Sequence, residues 1–416
     1  MALLTSIMGE AGTVCDVLVI GAGPGGGNAA LHSARAGLST ILIEDHAEIG
    51  TPVHCGECIS DVACDNLNLD LPSHVISKRV HGIRVIFPDG TEKKLTEEGY
   101  VLEKHLFERW IADEAVSQGA ILNLNHKLTS MEKMYDGDKF VGWRCDGKGD
   151  NFPIEAKVVI DASGVAGICS KILELNPRPK VIAGMQYEMR EVPTDDYLDF
   201  YIWPKYAEKG YVWMIPKCDG RANVGLVTED KSRTKKGLDE FIEDTHFKDL
   251  EQVAPPWKVK GNPAFGGTIP ISGPHENTHT DGLMLVGDAA GFTSPLFEGG
   301  SHLALKSAVF AADTAAKAIA AGDYSSSSLA EYSSLWKNEF PPYSKILRGK
   351  SALFDLSDDD MSLMAHCFPD EWSNMGIHGK LAVCLRILLR RPSLYARKII
   401  PAMLSFGYSR AKYYGW

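Results

Sequence analysis

The chain lacks the features that would carry it into a bilayer or out of the cell. No run approaches the roughly 18–20 consecutive apolar residues needed to span a membrane, and the longest uncharged stretch is a glycine-rich segment near the N-terminus. The opening MALLTSIMGEAGTV has neither the basic flank nor the long apolar core of a secretory signal and reads as a short extension before the first strand. Nine cysteines, an odd number, are scattered from Cys15 to Cys384; a disulfide framework is not expected, and a reducing, cytoplasmic setting is. Positive charge is also in deficit: the formal net charge is -11, which argues against a nucleic-acid partner, since such proteins neutralise phosphates with excess Lys and Arg. Internal repeats and long low-complexity tracts are absent.

What is there is an ordinary globular composition, 44% hydrophobic and 23% charged over 416 residues, enough for two or three domains and a sizeable core. Its charge is uneven. From Trp372 to Trp416 there are eight Lys or Arg and no Asp or Glu, so a basic C-terminal region follows an acidic body. Residues 380–400 mix apolar side chains with Arg386, Arg390, Arg391, Arg397 and Lys398, and Pro392 divides them. That pattern suits helices resting on anionic lipid at the inner membrane surface; a basic face packed on the acidic body is the equal alternative.

The clearest chemical signal is CDVLVIGAGPGGGNAALHSARAGLSTILIE. Val17 to Ile20 reads as a buried parallel strand, Gly21-Ala22-Gly23-Pro24-Gly25-Gly26 as a turn, and Asn28 to Ala36 as the start of a helix. Gly21 permits the tight turn and Gly23 lets a diphosphate approach the backbone. Gly26 lets helix and strand pack closely while the helix N-terminus faces the anion. A second strand, Thr40 to Ile43, ends in Glu44, 18 residues beyond Gly26, where a carboxylate accepts hydrogen bonds from a ribose diol and repels a ribose phosphate. Two later segments, KVVIDASGVAG with Asp161 and Gly164, and GLMLVGDAAGFTSPLFEGGSHLALKSA with Asp288, resemble the additional FAD signatures of glutathione-reductase-like and hydroxylase-like flavoproteins. In that resemblance the GD aspartate binds the ribityl chain. The helix beginning near Gly299 and Gly300 would point its positive end at the flavin pyrimidine.

Gly50-Thr51-Pro52-Val53-His54-Cys55-Gly56-Glu57-Cys58 follows the second strand. Cys55 as an active-site thiol is the leading reading. A Cys55–Cys58 redox dithiol, a metal site from His54, Cys55, Cys58 and Cys64, and two small buried turn residues are the alternatives. No second CxxC supports the metal reading. Further on, Tyr211 to Lys217 alternates as a strand does, placing Tyr211, Trp213 and Ile215 on one face, either lining an apolar cavity or filling an aromatic-rich sheet core.

GAGPGG, PVHCGE, YVWMIPK with ANVGL after it, and GDAAGFTSPLFEGGSHLALKSA occur in this order. Together they resemble the geranylgeranyl reductase family, most closely its archaeal digeranylgeranylglycerophospholipid reductases, over about residues 14–340. The resemblance implies saturation of isoprenoid double bonds on geranylgeranyl lipid chains by reduced FAD. Cys55 would then lie beside flavin and substrate, with Tyr211, Trp213 and Pro216 shaping a tunnel. Cys55 either supplies or relays a proton or positions the alkene. Two positions depart from the related pattern: Lys104, ahead of Phe107-Glu108, stands where Arg is usual and lacks its bidentate fork, and Ser301-His302 stands where Ile-His is common.

The expected fold is α/β: a Rossmann-like FAD domain of the hydroxylase-like type from residues 14–80, 100–175 and 278–325, an antiparallel substrate sheet from 81–99 and 176–277, and a helical C-terminal region from 326–416, with a boundary at Ser325 to Ser328. Rival functions are a flavin monooxygenase or halogenase, although Tyr211 replaces the first Trp of a halogenase WxWxIP, and a non-catalytic prenyl-lipid carrier. A quinone-linked dehydrogenase would carry a cysteine-rich cluster segment that is missing here. No second Rossmann signature provides a nicotinamide site, so ferredoxin, NAD(P)H and other electron donors all stay open.

Overall fold

Four strands whose last three or four residues are buried on both faces build a parallel sheet that must be covered on both sides. In the computed structural model, which describes residues 13–258, 263–373, 375–396 and 399–416, their order is Leu283–Leu285, Ile154–Asp161, Thr13–Ile20, Thr40–Ile43, followed by the short parallel Ile121–Asn123; His279–Thr280 closes the other edge antiparallel. Val17, Leu18 and Val19 are wholly buried. The helices Pro24–Arg35, Lys104–Ser117 and Ser301–Ala321 pack together alongside. Lys127–Asp136 and Lys139–Lys148 form a hairpin that joins Ile154–Asp161 antiparallel.

Register decides where a ligand can sit. Ile20 pairs with Ile43 and with Asp161, and Asp161 with Leu285. The residues that follow each strand, Gly21, Glu44, Ala162 and Val286, therefore emerge along one carboxyl edge, and all four line one cavity. Such an edge is where open α/β sheets bind ligands.

A second sheet runs Gln252–Val253, Val181–Met189, Ala222–Thr228, Tyr211–Pro216, Tyr197–Tyr201, Gly82–Ile86, Glu92–Leu95, with Phe265–Pro270 also on Val181–Met189. It is antiparallel except that Tyr197–Tyr201 pairs parallel with Gly82–Ile86, a correction to the all-antiparallel expectation: these two strands are far apart in sequence and need no tight hairpin. A small third sheet, Cys58–Ser60, Gly99–Leu102, Ile76–Val80, was not anticipated. The first strand begins at Thr13, so Thr13 and Val14 belong to it; the rest of the expected N-terminal extension lies outside the described residues. The first helix begins at Pro24, earlier than expected, because proline at its first position needs no N–H partner and already has helical φ.

Beyond the serine run, Ala330–Glu339, Tyr343–Phe354, Asp358–Cys367, Ile377–Arg390, Ser393–Ala396, Ile399–Tyr408 and Ala411–Tyr414 form a helical layer. It is fastened to the second sheet by Lys93 on Asp370 at 2.8 Å, and to the connection between the second and third sheets by Arg410 on Glu97. Its last residues return to the carboxyl edge, where Ser409, Tyr414 and Trp416 line the cavity.

Candidate functional site

The glycine turn does what its spacing implies, each glycine for a different reason. Gly21 has φ +92°, and a Cβ there would lie 2.7 Å from the Ala162 carbonyl. A Cβ on Gly26 would fall 1.7 Å from the Gly21 carbonyl oxygen, so only glycine lets the helix seat on the strand. A Cβ on Gly23 would meet nothing within 4 Å: it points into the cavity. Gly23 is also the helix N-cap and supplies no side chain, which leaves the N-terminal N–H groups facing open space. At the end of the second strand, Glu44 accepts from the Ala22 N–H at 2.7 Å and the His46 N–H at 3.1 Å, which holds the carboxylate on the wall.

The cavity, about 690 Å³, runs from this cradle to the second sheet. Pro24, Gly25, Gly164, Asp288, Gly299 and Gly300 line it with Lys104. Asp288 accepts from Thr293 Oγ1 at 2.6 Å, and burial raises its carboxyl above the usual range. Lys104, 3% exposed, donates from Nζ to Ser301 Oγ at 2.9 Å. The two departures noted in the sequence thus touch one another: the serine that opens the Ser301–Ala321 helix receives the lysine that replaces an arginine.

Three expected site residues fall elsewhere: Gly26 lies behind the wall, packed on the Gly21 carbonyl. Asp161 is absent from the wall; its carboxylate accepts from the Ser163 N–H and hydroxyl at 3.0 and 2.5 Å and from the Cys169 N–H at 2.8 Å, bracing the turn that carries Gly164. Pro216 is also absent from the wall, because strand alternation turns it away from the face of Tyr211, Trp213 and Ile215, which do line the cavity. On the opposite face Val212 and Met214 pack into a separate core with Leu238 and Phe241.

Cys55 faces the cavity, half-buried, and the Glu57 N–H donates to its sulfur at 3.2 Å. Its carbonyl accepts from Gln186 Nε2 at 2.8 Å, and Gln186 Oε1 accepts from Trp213 Nε1 at 3.0 Å. One amide therefore ties the cysteine loop to the aromatic strand. Burial pushes the Cys58 thiol up, with the neighbouring Cys55 and Glu57 adding to it, the reverse of what an attacking dithiol needs. Among the described residues His54, Cys55, Cys58 and Cys64 form no cluster with ligating separations, and His54 Nδ1 hydrogen-bonds the Gly266 carbonyl.

Behind this wall lies a buried ion network that sequence reasoning missed. Lys217 Nζ, 2% exposed, meets Glu57 Oε2 at 2.8 Å and Glu103 Oε2 at 3.0 Å. Arg221 bonds Glu103 at 2.6 Å and Glu188 at 3.2 Å, and Asn223 Nδ2 donates to Glu57 at 2.5 Å. PVHCGE and YVWMIPK are thus held together by their terminal charged residues; a lysine closing a wholly buried strand was the available signal.

A carboxyl-edge cavity with an uncapped helix N-terminus, a ribose-height carboxylate and a glycine facing open space fits a flavin dinucleotide. The fold and site together define an FAD-dependent oxidoreductase of the hydroxylase-like flavoprotein type. Residues 16–171 match the FAD dependent oxidoreductase family model, and 181–255 match the geranylgeranyl reductase catalytic domain. The chain is 36% identical over 399 residues to digeranylgeranylglycerophospholipid reductase of Methanocaldococcus jannaschii, covering 93% of this chain and 98% of that one. It superposes on a geranylgeranyl bacteriochlorophyll reductase-like protein of Thermoplasma acidophilum with TM-score 0.81 at 28% identity, over 94% and 99% of the two chains. A flavin-dependent brominase shares the fold alone, with TM-score 0.64 at 20% identity over 95% and 96%. The chain belongs to the geranylgeranyl reductase family, and FAD is its cofactor.

Proposed function

We propose that the protein saturates isoprenoid C=C bonds in the geranylgeranyl chains of membrane ether lipids or their precursors. The observation that carries this reading is one continuous cavity whose polar end is the dinucleotide cradle and whose apolar end is walled by Cys55, Phe200, Tyr211, Trp213, Ile215 and Phe297. Gly21, Gly23, Pro24 and Gly25 would hold the diphosphate, with Gly26 seating the helix behind them, Glu44 the ribose, and Lys104, Gly164, Asp288, Gly299 and Gly300 the remainder. Reduced FAD supplies a hydride when bound. The protein's own share is orientation and dryness: Gln186 locks the Cys55 loop to Trp213, and the Glu57 N–H aims the thiol sulfur, so that Cys55 presses the alkene into position.

Dithionite-reduced protein incubated anaerobically with a geranylgeranylated ether lipid should give mass increments of two hydrogens per bond. Cys55→Ala should keep its FAD and lose about tenfold to a hundredfold in rate, the scale of a misplaced reactant. An unchanged rate at normal FAD content would remove Cys55 from the site. Oxygen uptake coupled to oxidation of an added substrate would instead favour a monooxygenase. Reduced ferredoxin and NAD(P)H, offered separately in the same assay, would identify the electron donor.

The lipid has to leave a bilayer, and no helix among the described residues is long and apolar enough to cross one. On Ile377–Arg390, Ile377, Leu381, Leu385 and Leu389 recur every four residues and are 71%, 62%, 55% and 75% exposed. Lys380, Arg386 and Arg390 on the same helix are exposed as well, whereas Arg391 pairs with Asp360 at 3.0 Å on the body. Arg397 and Lys398 lie outside the described residues. This helix would lie on an anionic membrane surface, apolar stripe inward, with each basic residue near the surface contributing about 1 kcal/mol. Flotation with anionic vesicles should show binding that weakens with salt and falls at least about tenfold in Leu381→Glu/Leu385→Glu; salt-independent binding, or none, would remove the contact.

A further inference from the structure

Lys104 is a buried cation short of a counter-charge. It opens the helix Lys104–Ser117, its backbone N–H donates to Glu57 Oε1 at 3.0 Å, and its side chain is buried in the cavity wall. An ammonium offers three N–H donors. One goes to Ser301 Oγ at 2.9 Å, the one hydrogen bond that Lys104 Nζ makes among the described residues. The one carboxylate within reach of its charge there, Glu108, stands 3.9 Å away, too far for a hydrogen bond. A buried ammonium is costly unless it is paired, so two idle donors in a cavity wall mark the place of an anion that the chain itself does not supply.

Glu108, which also lines the cavity, does not fill that place. Burial lifts its carboxyl to about 7, against the pull of Lys104 and with the help of Glu44 and Glu57, so near neutrality it carries only part of a negative charge.

A flavin dinucleotide presents two anionic parts, the diphosphate and, once reduced, the ring. The cradle for the first lies at Gly21 to Gly25, where Pro24–Arg35 begins. Lys104 is pinned instead to the first residue of Ser301–Ala321, whose N-cap Gly300 supplies no side chain to its N–H groups. Asp288 Oδ1 lies 3.3 Å from the position a Gly300 Cβ would take. The charge of Lys104 reaches both Asp288 and Cys58, in the Cys55 loop, countering part of the rise that burial gives each. Both line the cavity beyond the cradle. Three helices thus bring their N-termini to one cavity through Pro24, Lys104 and Ser301, and the ammonium adds a full charge to their partial ones.

We propose that Lys104, held in place by Ser301, is the cation that stabilises the reduced flavin and raises the reduction potential of the cofactor. Two electrons and one proton leave the flavin with one more negative charge than its oxidised form, and an ammonium fixed in a dry wall favours the charged form over the neutral one. The Ser301 hydroxyl directs the ammonium to this helix. Isoleucine at that position has no oxygen to hold it, and arginine at 104 has a fork that suits phosphate oxygens. The two departures from the related pattern therefore act as a unit, as a point charge at the helix that follows Gly299 and Gly300. This role rests on FAD as the cofactor and is independent of the lipid.

The test is a potentiometric titration of the FAD-loaded protein with dithionite and reference dyes, with no lipid present. Lys104→Met should hold reduced FAD about tenfold to a hundredfold less tightly relative to oxidised FAD, the scale of one charge lost from a partly buried site. That ratio is a fall in midpoint potential of about 30–60 mV for a two-electron couple. Ser301→Ala should shift the potential in the same direction by less, and Ser301→Thr, which keeps the hydroxyl, should restore the wild-type value. The Lys104→Met apoprotein should melt no earlier than the wild-type apoprotein, since an unpaired buried cation works against folding. Should Lys104→Met retain no FAD, the Ser301→Ala and Ser301→Thr pair decides the matter. Equal loss of affinity for oxidised and reduced FAD in Lys104→Met would place the ammonium on the diphosphate and overturn the role, as would a Ser301→Ala potential equal to that of the wild type. A wild type that leaves the lipid unreduced yet shows these shifts would remove the lipid assignment and keep this one.

Discussion

Gly26→Ala is expected to emerge from purification without FAD and to unfold several degrees earlier than the wild type. The alanine Cβ, whose position the backbone fixes, would sit 1.7 Å from the Gly21 carbonyl oxygen, itself a backbone atom, so no flexible side chain can swing aside. The helix must lift off the strand, at a cost of at least about 1–3 kcal/mol for overpacking, and the N–H groups at its start move off the position a diphosphate requires. Gly23→Ala separates the two consequences. Its Cβ meets no protein atom within 4 Å and its φ of -68° suits any residue, so the apoprotein should melt normally while FAD binding weakens. Absorbance of bound flavin and thermal melting with and without added FAD measure both variants. A fully loaded Gly26→Ala protein would mean that the turn is not the cradle.

Lys217→Met should be the most destabilising single change near the site. It leaves Glu57 as a buried carboxylate with only Asn223 and the Lys104 N–H as partners and Glu103 with Arg221 and Ser77; breaking a buried pair from one side costs about 3–5 kcal/mol. Removing the stranded charge as well, in Lys217→Met/Glu57→Gln, should recover part of the loss in urea unfolding. The pH dependence has a definite sign. For Glu103 burial raises the pKa, but Lys217 and Arg221 outweigh it and hold the group below its ordinary 4.5, so its stabilisation is present above that value and is lost as pH falls through the folded one. For Lys217 burial lowers the pKa, but Glu57 and Glu103 win and hold it above 10.5, so its contribution survives until strongly alkaline pH. Glu188, raised by burial, works in the opposite sense as pH rises past 4.5 and offsets part of the gain. The wild type should therefore keep the network's stability across neutral pH and lose it in acid, and Lys217→Met should show a shallower acid limb. Equal acid limbs in the two proteins would show that the network carries no net stabilisation.

The sequence alone determined the dinucleotide turn, the alternation of Tyr211, Trp213 and Ile215, the cysteine segment and the basic tail, because each is written in neighbouring residues: glycine spacing, strand period and local charge need no distant partner to be recognised. The tertiary structure decided what depends on packing between segments far apart in the chain. It turned Asp161 inward to brace a loop and Pro216 away from the cavity, and it brought Lys104 onto Ser301 across 197 positions and Lys217 onto Glu57 across 160. A carboxyl's role follows from its burial and its neighbours, and those are properties of the folded chain.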